Sequence, residues 1–542
     1  MVDNLAMSEK IRRRTVLGGA AAVAGVATVG AVAFASPRSA EVFQHGVASG
    51  DPLPDGVLLW TRVTPSADAT PGSGVGSTVD VRWEVATDAT FGTVVASGLI
   101  RTGPERDHTV KVDVGGLTAG TAYAYRFTLD GAVSPVGLTR TAPTATARLR
   151  FGLVSCSNWQ AGHFAAYRYL AERGDLDAVI HAGDYLYEYG SKQYPDGQDV
   201  RPHDPAHEII TLADYRRRHA QYKTDPHLSR LHALCPWIVT WDDHEFANDA
   251  WAGGAQNHTD PEGPWAVRKA NALQAYFEWM PVRNDGDKIY RRLRFGDLAE
   301  LSMLDLRQYR SLQVSNTDGG AIDDPNRTIA GREQLDWLID GIVSSGARWK
   351  LVGTSVMATP VALPPLSPEL AGALAKLLGL PSEGIPVNPD QWDGYAADRR
   401  RMLKALADNK VRNTVFLTGD IHSSWACDVP IDAGTYPLSK SVAVEFVATS
   451  VTSDNMDEIL KVPPRTLTLA VEGGLTALNR HVKWLEFDSH GACVLEVTPS
   501  AAQVDWFFLA DKTKPDSTLR HARSYRVQDG TQRVERVYSP IG

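Results

Sequence analysis

The sequence predicts an α/β protein that carries an all-β domain on its N-terminal side. Short alternating strands separated by turn residues fill residues 41–142, whereas apolar strands alternate with amphipathic helices from residue 149 onward. The length of 542 residues also exceeds what one ordinary hydrophobic core supports, so more than one domain is expected. We therefore divide the chain into an export signal at 1–40, a β-sandwich at 41–142 and a larger α/β domain at 149–542.

Residues 1–40 have the pattern of an export signal. Arg12-Arg13-Arg14 precedes a Gly-, Ala- and Val-rich run that ends in Ala33-Phe34-Ala35, a small-residue cleavage pattern. An arginine pair directly before an apolar run resembles a twin-arginine signal, which implies secretion through the twin-arginine translocation machinery. A transmembrane anchor is the alternative, but the run is rich in Gly and Ala and ends like a cleaved signal. Cleavage after Ala35 and cleavage after Ala40 both fit the pattern.

Charge and cysteine content limit the classes of protein to consider. The formal net charge is -9, which argues against non-specific nucleic-acid binding because that needs a basic surface, and specific nucleic-acid binding is not expected either. A small anionic substrate is still allowed, because a bound metal inverts the local field. Four cysteines are too few and too scattered for a disulfide scaffold, although Cys235, Cys427 and Cys493 leave one pairing open. We expect a monomer.

The segment 41–142 is expected to form an immunoglobulin-like or fibronectin-like sandwich. Its strand-like runs at 57–63, 81–85, 110–114 and 122–127 are separated by turn sequences such as Asp130-Gly131. It contains no cluster of acids, bases or metal ligands, so its expected role is that of a lid or buttress.

The larger domain is predicted to alternate strands with helices and to become β-rich in its second half. Helices are expected at 163–172, 206–223, 265–279, 332–344, 368–380 and 396–408, where apolar residues recur at helical spacing. After residue 443 the pattern returns to strands, at 481–487, 492–497 and 503–508.

Four strand-like runs of this domain end in residues that can bind metals. The runs are 151–155, 178–182, 237–240 and 414–418, and they lead into Cys156, Asp184, Asp242-Asp243-His244-Glu245, and Asp420 with His422, respectively. Open α/β sheets bind their ligands at the carboxyl ends of the strands. The sequence therefore predicts a metal site at one edge of the sheet.

Each candidate ligand also has a structural alternative. Asp184, which follows a glycine, is placed to bridge two cations, but an aspartate in this position is also a common helix cap. Tyr187 offers a phenolate, which suits Fe(III), although most tyrosines are simply packed aromatics. Cys156 is either a thiolate ligand or a small buried hydrophobe. Asp420 and His422 lie on the same side of an extended segment, so they address a common site.

The segment 241–249 is the densest group of polar ligands in the chain. Asp243 and Asn248 supply oxygen donors of the kind that Ca²⁺ and Mg²⁺ prefer. His244 is placed to orient a substrate phosphate or to donate a proton to a leaving oxygen. The alternative is a solvated acidic loop, which the preceding apolar strand and the neighbouring Trp241 and Phe246 disfavour.

Together these segments resemble the calcineurin-type metallophosphoesterases and, among them, the alkaline phosphatase D family. The matching motifs are Ser155-Cys156-Ser157, Gly183-Asp184-Tyr185-Leu186-Tyr187-Glu188-Tyr189, Thr240-Trp241-Asp242-Asp243-His244-Glu245, Asp305-Leu306-Arg307-Gln308-Tyr309-Arg310 and Gly419-Asp420-Ile421-His422. The spacing of Gly183, Asp184 and Tyr187 is also similar to that of the purple acid phosphatases, in which the tyrosine binds Fe(III).

The resemblance implies a four-layer αββα sandwich of the metallophosphoesterase type and a site for Fe(III) and Ca²⁺. By matching position, the implied metal ligands are Cys156, Asp184, Tyr187 and His422 for iron, and Asp184 as the bridge with Asn248, Gln308 and Asp420 for calcium. Asp243 is an additional metal candidate. His244 and Arg307 are the implied catalytic residues, and Asp393 is expected just outside the ligands.

The implied function is that of a secreted phosphatase acting on phosphate monoesters and diesters, with a metal-bound hydroxide as nucleophile. One alternative is phospholipase D activity on phospholipid or lysophospholipid head groups at the same site, because some actinobacterial members of the family act in this way. A more distant alternative is a non-catalytic extracellular binding protein with a degenerate hydrolase fold.

Overall fold

The computed structural model describes residues 37–195, 197 and 199–542, which belong to one compact unit. The predicted export signal therefore lies outside the described residues, apart from its last four positions. The helices are α1 (Pro37–Val42), α2 (Ala165–Arg173), α3 (Leu212–Lys223), α4 (Pro226–Leu234), α5 (Trp265–Trp279), α6 (Gly319–Ile322), α7 (Arg332–Ser344), α8 (Pro368–Leu377), α9 (Ala396–Asp408), α10 (Met456–Leu460) and α11 (Leu467–Leu478).

Most of the strands belong to two large sheets. The strands are β1 (Val47–Leu53), β2 (Gly56–Arg62), β3 (Val79–Ala86), β4 (Val94–Thr102), β5 (Thr109–Val114), β6 (Ala122–Leu129), β7 (Ala132–Val133), β8 (Gly137–Arg140), β9 (Leu149–Val154), β10 (Ala178–Ala182), β11 (Trp237–Thr240), β12 (Arg291–Phe295), β13 (Ala299–Met303), β14 (Trp349–Thr354), β15 (Thr414–Thr418), β16 (Ser424–Pro430), β17 (Ser441–Val447), β18 (Val482–Glu486), β19 (Gly491–Val497), β20 (Ala501–Leu509), β21 (Leu519–Gln528) and β22 (Val534–Val537). One sheet has the order β22-β21-β20-β19-β9-β10-β11-β1-β2-β5, and the other has the order β12-β13-β14-β15-β17-β16-β18.

The two sheets pack face to face between layers of helices. Ile180 of the first sheet and Leu417 of the second belong to the same buried cluster, which fills the space between the sheets. Helices α2 to α5 cover the outer face of the first sheet, and α7 and α9 cover that of the second. This is the αββα arrangement, so the predicted fold class is confirmed. The parallel strands β9-β10-β11 and β13-β14-β15 lie at the centre of their sheets.

The N-terminal strands are partly built into the first large sheet. Strand β1 pairs in parallel with β11, and β2 and β5 extend the same sheet. Strands β3, β4, β6 and β7 form a separate sheet, to which β8 is added through β6, and this sheet packs against β2 and β5. Lys111 in β5 donates to the carbonyl oxygen of Phe277 in α5 at 2.8 Å. These contacts are consistent with the expected role of the N-terminal strands as a buttress. The domain boundaries 41–142 and 149–542 stay predictions.

The predicted helices and the cysteines can be compared directly with the structure. The helices expected at 265–279, 332–344 and 396–408 have the predicted bounds, whereas α3 begins six residues later than expected. Helices α10 and α11 lie in the half that was predicted to consist of strands. All four cysteines are free and buried. Within the described residues, none of the helices has the length and apolar character needed to cross a bilayer.

Candidate metal centre

Four candidate ligands occupy the same position relative to their strands. Cys156, Asp184, Asp242 and Asp420 each lie two residues beyond the end of β9, β10, β11 and β15, respectively. The first three strands are neighbours in one sheet, and β15 belongs to the sheet packed against it. The carboxyl ends of the central strands therefore meet at one edge, as the strand-end pattern predicted.

The first group of donors at this edge is chemically mixed. The ligand atoms of Cys156, Asp184 and His422 lie within 4.8 Å of one another. The hydroxyl group of Tyr187 donates to Oδ2 of Asp184 at 3.0 Å and lies 3.3 Å from Nε2 of His422. A thiol, a phenol, a carboxyl group and an imidazole thus converge on one point. Phenolate and imidazole are established ligands of iron in proteins, so this donor set fits that metal.

The second group of donors consists of carboxylates alone. Oxygen atoms of Asp184, Asp242, Asp243 and Asp420 lie within 4.8 Å of one another. Asp184 belongs to both groups, which is the geometry needed for a carboxylate that bridges two cations. Donor sets made only of oxygen suit Ca²⁺ and Mg²⁺.

Several of these residues have a strained backbone. Cys156, Asp184, Asp420 and His422 have positive φ values of 59°, 57°, 63° and 45°, respectively. Residues other than glycine are uncommon in this left-handed region, and each such residue carries a conformational cost of about 1–3 kcal/mol. Such strain persists only where the surrounding structure imposes it. Here the hydrogen bond from the N–H group of Cys156 to the carbonyl oxygen of Gly183, at 3.2 Å, joins the ends of two strands.

Glu245 holds the same strand ends from the side of β11. Its carboxylate accepts hydrogen bonds from the backbone N–H groups of Asp184 at 3.2 Å, Tyr185 at 2.5 Å and Asp242 at 2.8 Å. A single side chain therefore fixes the turns after β10 and β11, and with them the directions of Asp184 and Asp242.

Close packing requires a glycine directly before Asp184 and directly before Asp420. A Cβ atom on Gly183 would lie 2.7 Å from Cβ of Asp242, and one on Gly419 would lie 2.7 Å from Cβ of Ser155. Gly419 belongs to the second sheet and Ser155 to the end of a strand in the first. The absence of a side chain thus lets the two sheets approach where the donors meet.

We expect Gly419→Ala to push the strand ends apart. Overpacking at such a contact destabilises a protein by about 1–3 kcal/mol, and the displacement of Asp420 should lower the metal content. Denaturant unfolding and metal analysis of the purified variant measure both effects. Gly346→Ala is the matched control, because a Cβ atom there meets open space. Normal stability and metal content in the Gly419 variant would contradict this account of the packing.

The electrostatics of the buried carboxylates also indicate cations. Burial and the neighbouring Asp243 raise the pKa of Asp184 well above its ordinary value, and burial together with Asp242 raises the pKa of Asp243 to about 7. The Oδ1 atoms of both residues are buried without a hydrogen-bond partner. Burial and the nearby Asp184 likewise raise the pKa of the Cys156 thiol. A cation held by these residues would supply the missing partner and would favour the ionised forms, so the residues fit the predicted metals.

Arg307 is surrounded by carboxylates. Its guanidinium group donates to both oxygens of Asp242, at 2.7 and 2.8 Å, and to both oxygens of Asp390, at 3.1 and 2.9 Å. Asp420 lies 3.5 Å away. Although burial opposes it, Arg307 lowers the pKa of Asp242 and keeps that carboxylate ionised. Arg307 therefore holds the carboxylates of Asp242 and Asp390 in fixed positions.

His244 is held against the aromatic wall of the site. Its Nδ1 atom lies 2.8 Å from Oε2 of Glu188, and its ring lies 4.1 Å from that of Tyr187. Burial alone would lower the pKa of His244, but the carboxylates of Asp243 and Glu188 raise it well above its usual value. His244 in turn favours the ionised form of Glu188. The pKa of this carboxyl is lowered to about 2, although burial opposes the shift. The pair is therefore an imidazolium beside a carboxylate.

Comparison with known proteins agrees with this geometry. The family model described as PhoD-like phosphatase matches residues 151–506, and that of its N-terminal domain matches residues 28–143. The chain belongs to the PhoD-like phosphatase family. It is 35% identical to alkaline phosphatase D of Bacillus subtilis (strain 168), over 97% of this chain and 89% of that protein. A solved structure described as that of PhoD superposes with a TM-score of 0.81 at 34% identity and covers 92% of this chain and 93% of that one.

Membership of the PhoD-like phosphatase family confirms the predicted resemblance and the enzyme class. It also disfavours the non-catalytic binding protein considered above. The individual ligand and catalytic roles stay predictions, because similarity over the whole chain does not assign a role to each residue.

Two further predicted ligands in this PhoD-like chain, Asn248 and Gln308, are hydrogen-bonded to residues outside both donor groups. Asn248 donates its backbone N–H group to Glu188 at 2.7 Å and its amide nitrogen to Gln256 at 3.0 Å. The amide nitrogen of Gln308 donates to Asp305 at 2.9 Å. Among the described residues, neither side-chain carbonyl oxygen has a protein donor, so both oxygens are available to a cation.

Asp393, which was expected just outside the ligands, lies two residues after Gln391, whose amide donates to Asp420. Its carboxylate accepts from the N–H group of Val361 at 2.9 Å and pairs with Arg399. It therefore links the loop that precedes α8 to α9, and its partners among the described residues lie outside the donor groups.

Sequence reasoning did not identify Glu188, Glu245 and Asp390 as functional residues. Glu188 and Glu245 stand inside two of the matched motifs, next to candidate ligands, so their positions carried a signal. Asp390 carried none, because it lies in a loop 83 residues away from Arg307 in sequence.

Proposed function

We propose that this PhoD-like chain is a secreted phosphatase that hydrolyses phosphate monoesters and diesters at a site for Fe(III) and Ca²⁺. The observation that carries the proposal is the divided donor set around Asp184. Sulfur, phenol and imidazole donors lie on one side of this carboxylate, and the other side holds the carboxylates of Asp242, Asp243 and Asp420, with the imidazole of His244 beside Asp184 and Asp243. Two chemically unlike cations sharing one bridge account for that division.

Each predicted ligand has a place in this scheme. Cys156, Tyr187 and His422 would hold Fe(III), Asp184 would bridge, and Asp420 would hold Ca²⁺ together with Asn248, Gln308 and Asp243. When bound, such cations polarise phosphoryl oxygens and lower the pKa of bound water. The orientation of His422 is fixed by the carbonyl oxygen of Asp454, which lies 2.8 Å from its Nδ1 atom and leaves Nε2 for the metal side.

His244 and Arg307 have different tasks. Because Glu188 engages Nδ1 of His244, its Nε2 atom is the one that serves the substrate, as a hydrogen-bond donor to phosphate and as a proton donor to the leaving oxygen. Arg307 is fully engaged with Asp242 and Asp390 and therefore acts by keeping the carboxylates in place. Export by the twin-arginine route completes the proposal, and N-terminal sequencing of protein recovered from the culture medium checks it.

Tyr187→Phe tests the assignment of iron. The metal-loaded wild-type protein should be coloured by charge transfer from the tyrosinate to Fe(III), and the variant should lose this visible band. The iron affinity of the variant should fall at least about tenfold. This is the lower end of the range that is usual for changes around metal ligands. Absorption spectra and iron titration measure both quantities.

Tyr189→Phe is the matched control for Tyr187→Phe, because this half-buried tyrosine lies near His244 without contacting the first donor group. A colourless wild-type protein that contains zinc, or a variant at position 187 that keeps the band, would refute the iron assignment.

A further inference from the structure

Lys512 is a buried cation that belongs to neither donor group. It lies in the connection between β20 and β21 and is only 9% exposed. Its ammonium group donates to the carbonyl oxygen of Thr452 at 3.0 Å, to Oδ1 of Asp454 at 2.9 Å and to Oε2 of Glu458 at 2.7 Å. Because an ammonium group has three protons, these bonds use all of them. Lys512 therefore fastens the segment 452–458 from a single point.

The segment 452–458 in turn holds the turn that carries Cys156. The backbone N–H groups of Thr452 and Ser453 both donate to the carbonyl oxygen of Cys156, each at 3.3 Å. The hydroxyl group of Thr452 donates to the carbonyl oxygen of Asn158 at 2.7 Å. The left-handed backbone of Cys156 persists only where its surroundings impose it. These bonds are part of what imposes it.

The same segment orients His422. The carbonyl oxygen of Asp454 lies 2.8 Å from Nδ1 of His422, while the carboxylate of Asp454 pairs with Lys512. A group that bonds the second nitrogen of a ligand histidine fixes the orientation and the tautomer of its ring. Through the segment 452–458, Lys512 is therefore linked to two members of the first donor group, Cys156 and His422.

The main chain of Lys512 is fixed as firmly as its side chain. The N–H group of His163 donates to the carbonyl oxygen of Lys512 at 2.8 Å. A Cβ atom on Gly162 would lie 2.7 Å from the same oxygen, so a residue without a side chain is needed for this close approach. The main chain of Lys512 is thus attached to the stretch that follows Cys156, and its side chain to the segment 452–458. Lys512 joins the two parts of the chain that surround the thiol.

Glu458 extends these contacts to the end of β9. Its Oε2 atom lies 2.9 Å from Nε2 of His490, and Nδ1 of His490 lies 2.8 Å from the hydroxyl oxygen of Ser450. Ser450 forms a parallel bridge with Ser155, the residue before the thiol. Although burial opposes it, the hydrogen bond with His490 and the charge of Lys512 lower the pKa of Glu458 to about 2. Glu458 is therefore an ionised partner for the ammonium group.

We propose that Lys512 is a positioning residue for the iron side of the metal centre, because its ammonium group holds the segment 452–458 where that segment fixes Cys156 and His422. Membership of the family assigns it no role, since Lys512 lies beyond the residues 151–506 that the family model matches. The proposal rests on the proposed function for the identity of the metal. The hold of Lys512 on the segment is a property of the metal-free chain, so it can be measured separately.

Lys512→Met tests the proposal, because methionine fills similar space without the charge. The iron affinity of the variant, measured by titration with Fe(III), should fall at least about tenfold, whereas its calcium affinity should stay unchanged. In the metal-free variant, hydrogen exchange measured by mass spectrometry should become at least about tenfold faster in the segment 452–458, because its carboxylates have lost their counter-charge. Lys483→Met is the matched control, since this half-buried lysine donates to Tyr436 at 2.7 Å and to the carbonyl oxygen of Arg480 at 2.8 Å.

Asp454→Asn gives a second test if Lys512→Met does not fold, because it weakens the ion pair and keeps the carbonyl oxygen that orients His422. It should lower iron affinity in the same direction by a smaller factor. Unchanged iron affinity, equal losses of iron and calcium, faster exchange throughout the chain, or the same changes in Lys483→Met would each overturn the positioning role. A wild-type protein that binds no iron would refute the iron proposal, and faster exchange confined to the segment 452–458 in metal-free Lys512→Met would still support the hold of Lys512 on that segment.

Discussion

Asp184→Asn is expected to reduce kcat/KM for p-nitrophenyl phosphate by roughly a thousandfold or more. Asp184 is the one side chain common to both donor groups, so its loss weakens both metal sites together. Metal ions contribute several kcal/mol to such reactions, and each 1.36 kcal/mol corresponds to about a tenfold change in rate. Steady-state kinetics together with iron and calcium analysis of the purified variant measure the effect.

The free energy of unfolding separates this loss of function from misfolding. Without metals, burial and, to a smaller extent, repulsion from Asp243, Asp242 and Glu245 raise the pKa of the Asp184 carboxyl. A neutral asparagine relieves that repulsion, so the metal-free variant should be at least as stable as the metal-free wild type. Asp297→Asn is the control, because this aspartate is exposed in the turn between β12 and β13 and pairs with Arg294. Normal turnover with both metals retained in the Asp184 variant would refute the bridging role.

The fold was predictable where burial follows a simple periodic pattern. Helix α7 buries Leu335 and Leu338 at helical spacing, so its bounds were predicted correctly. Helix α11 was missed because it buries Thr468 and Glu472 beside Leu475 and exposes Leu467, Leu469 and Leu478, which disturbs the pattern on which the prediction depends. The wrong prediction at α11 thus identifies a helix whose outer face is unusually apolar.

The metal centre was predictable as far as local sequence controls it. Cys156, Asp184 and Asp420 each follow an apolar strand at the same distance, and the topology of the sheets brings these strand ends together. The bond between Arg307 and Asp390 depends on a loop conformation that no local pattern encodes. The sequence therefore predicted which donors converge at the strand ends better than it predicted the groups that hold those donors.

His244→Gln should slow the reaction in a manner that depends on the leaving group. Glutamine keeps a hydrogen-bond donor for phosphate but is unable to transfer a proton at neutral pH. General acid catalysis contributes about 10²–10⁴-fold. We therefore expect a loss of at least about a hundredfold in kcat for alkyl phosphates, whose alkoxide leaves poorly without a proton. The loss should be much smaller for p-nitrophenyl phosphate, since nitrophenolate leaves without assistance.

Glu188→Gln distinguishes proton donation by His244 from simple packing. Glu188 stabilises the imidazolium form of His244 through the 2.8 Å contact to Nδ1, so its neutral replacement should produce the same dependence on the leaving group in weaker form. His207→Gln is the matched control, because His207 is exposed and its side chain pairs with Asp214.

If His244→Gln slowed both substrates equally, His244 would act by binding phosphate or by packing against Tyr187. A plot of log kcat against leaving-group pKa for the wild type and both variants decides between these roles, because only the loss of proton donation makes its slope steeper.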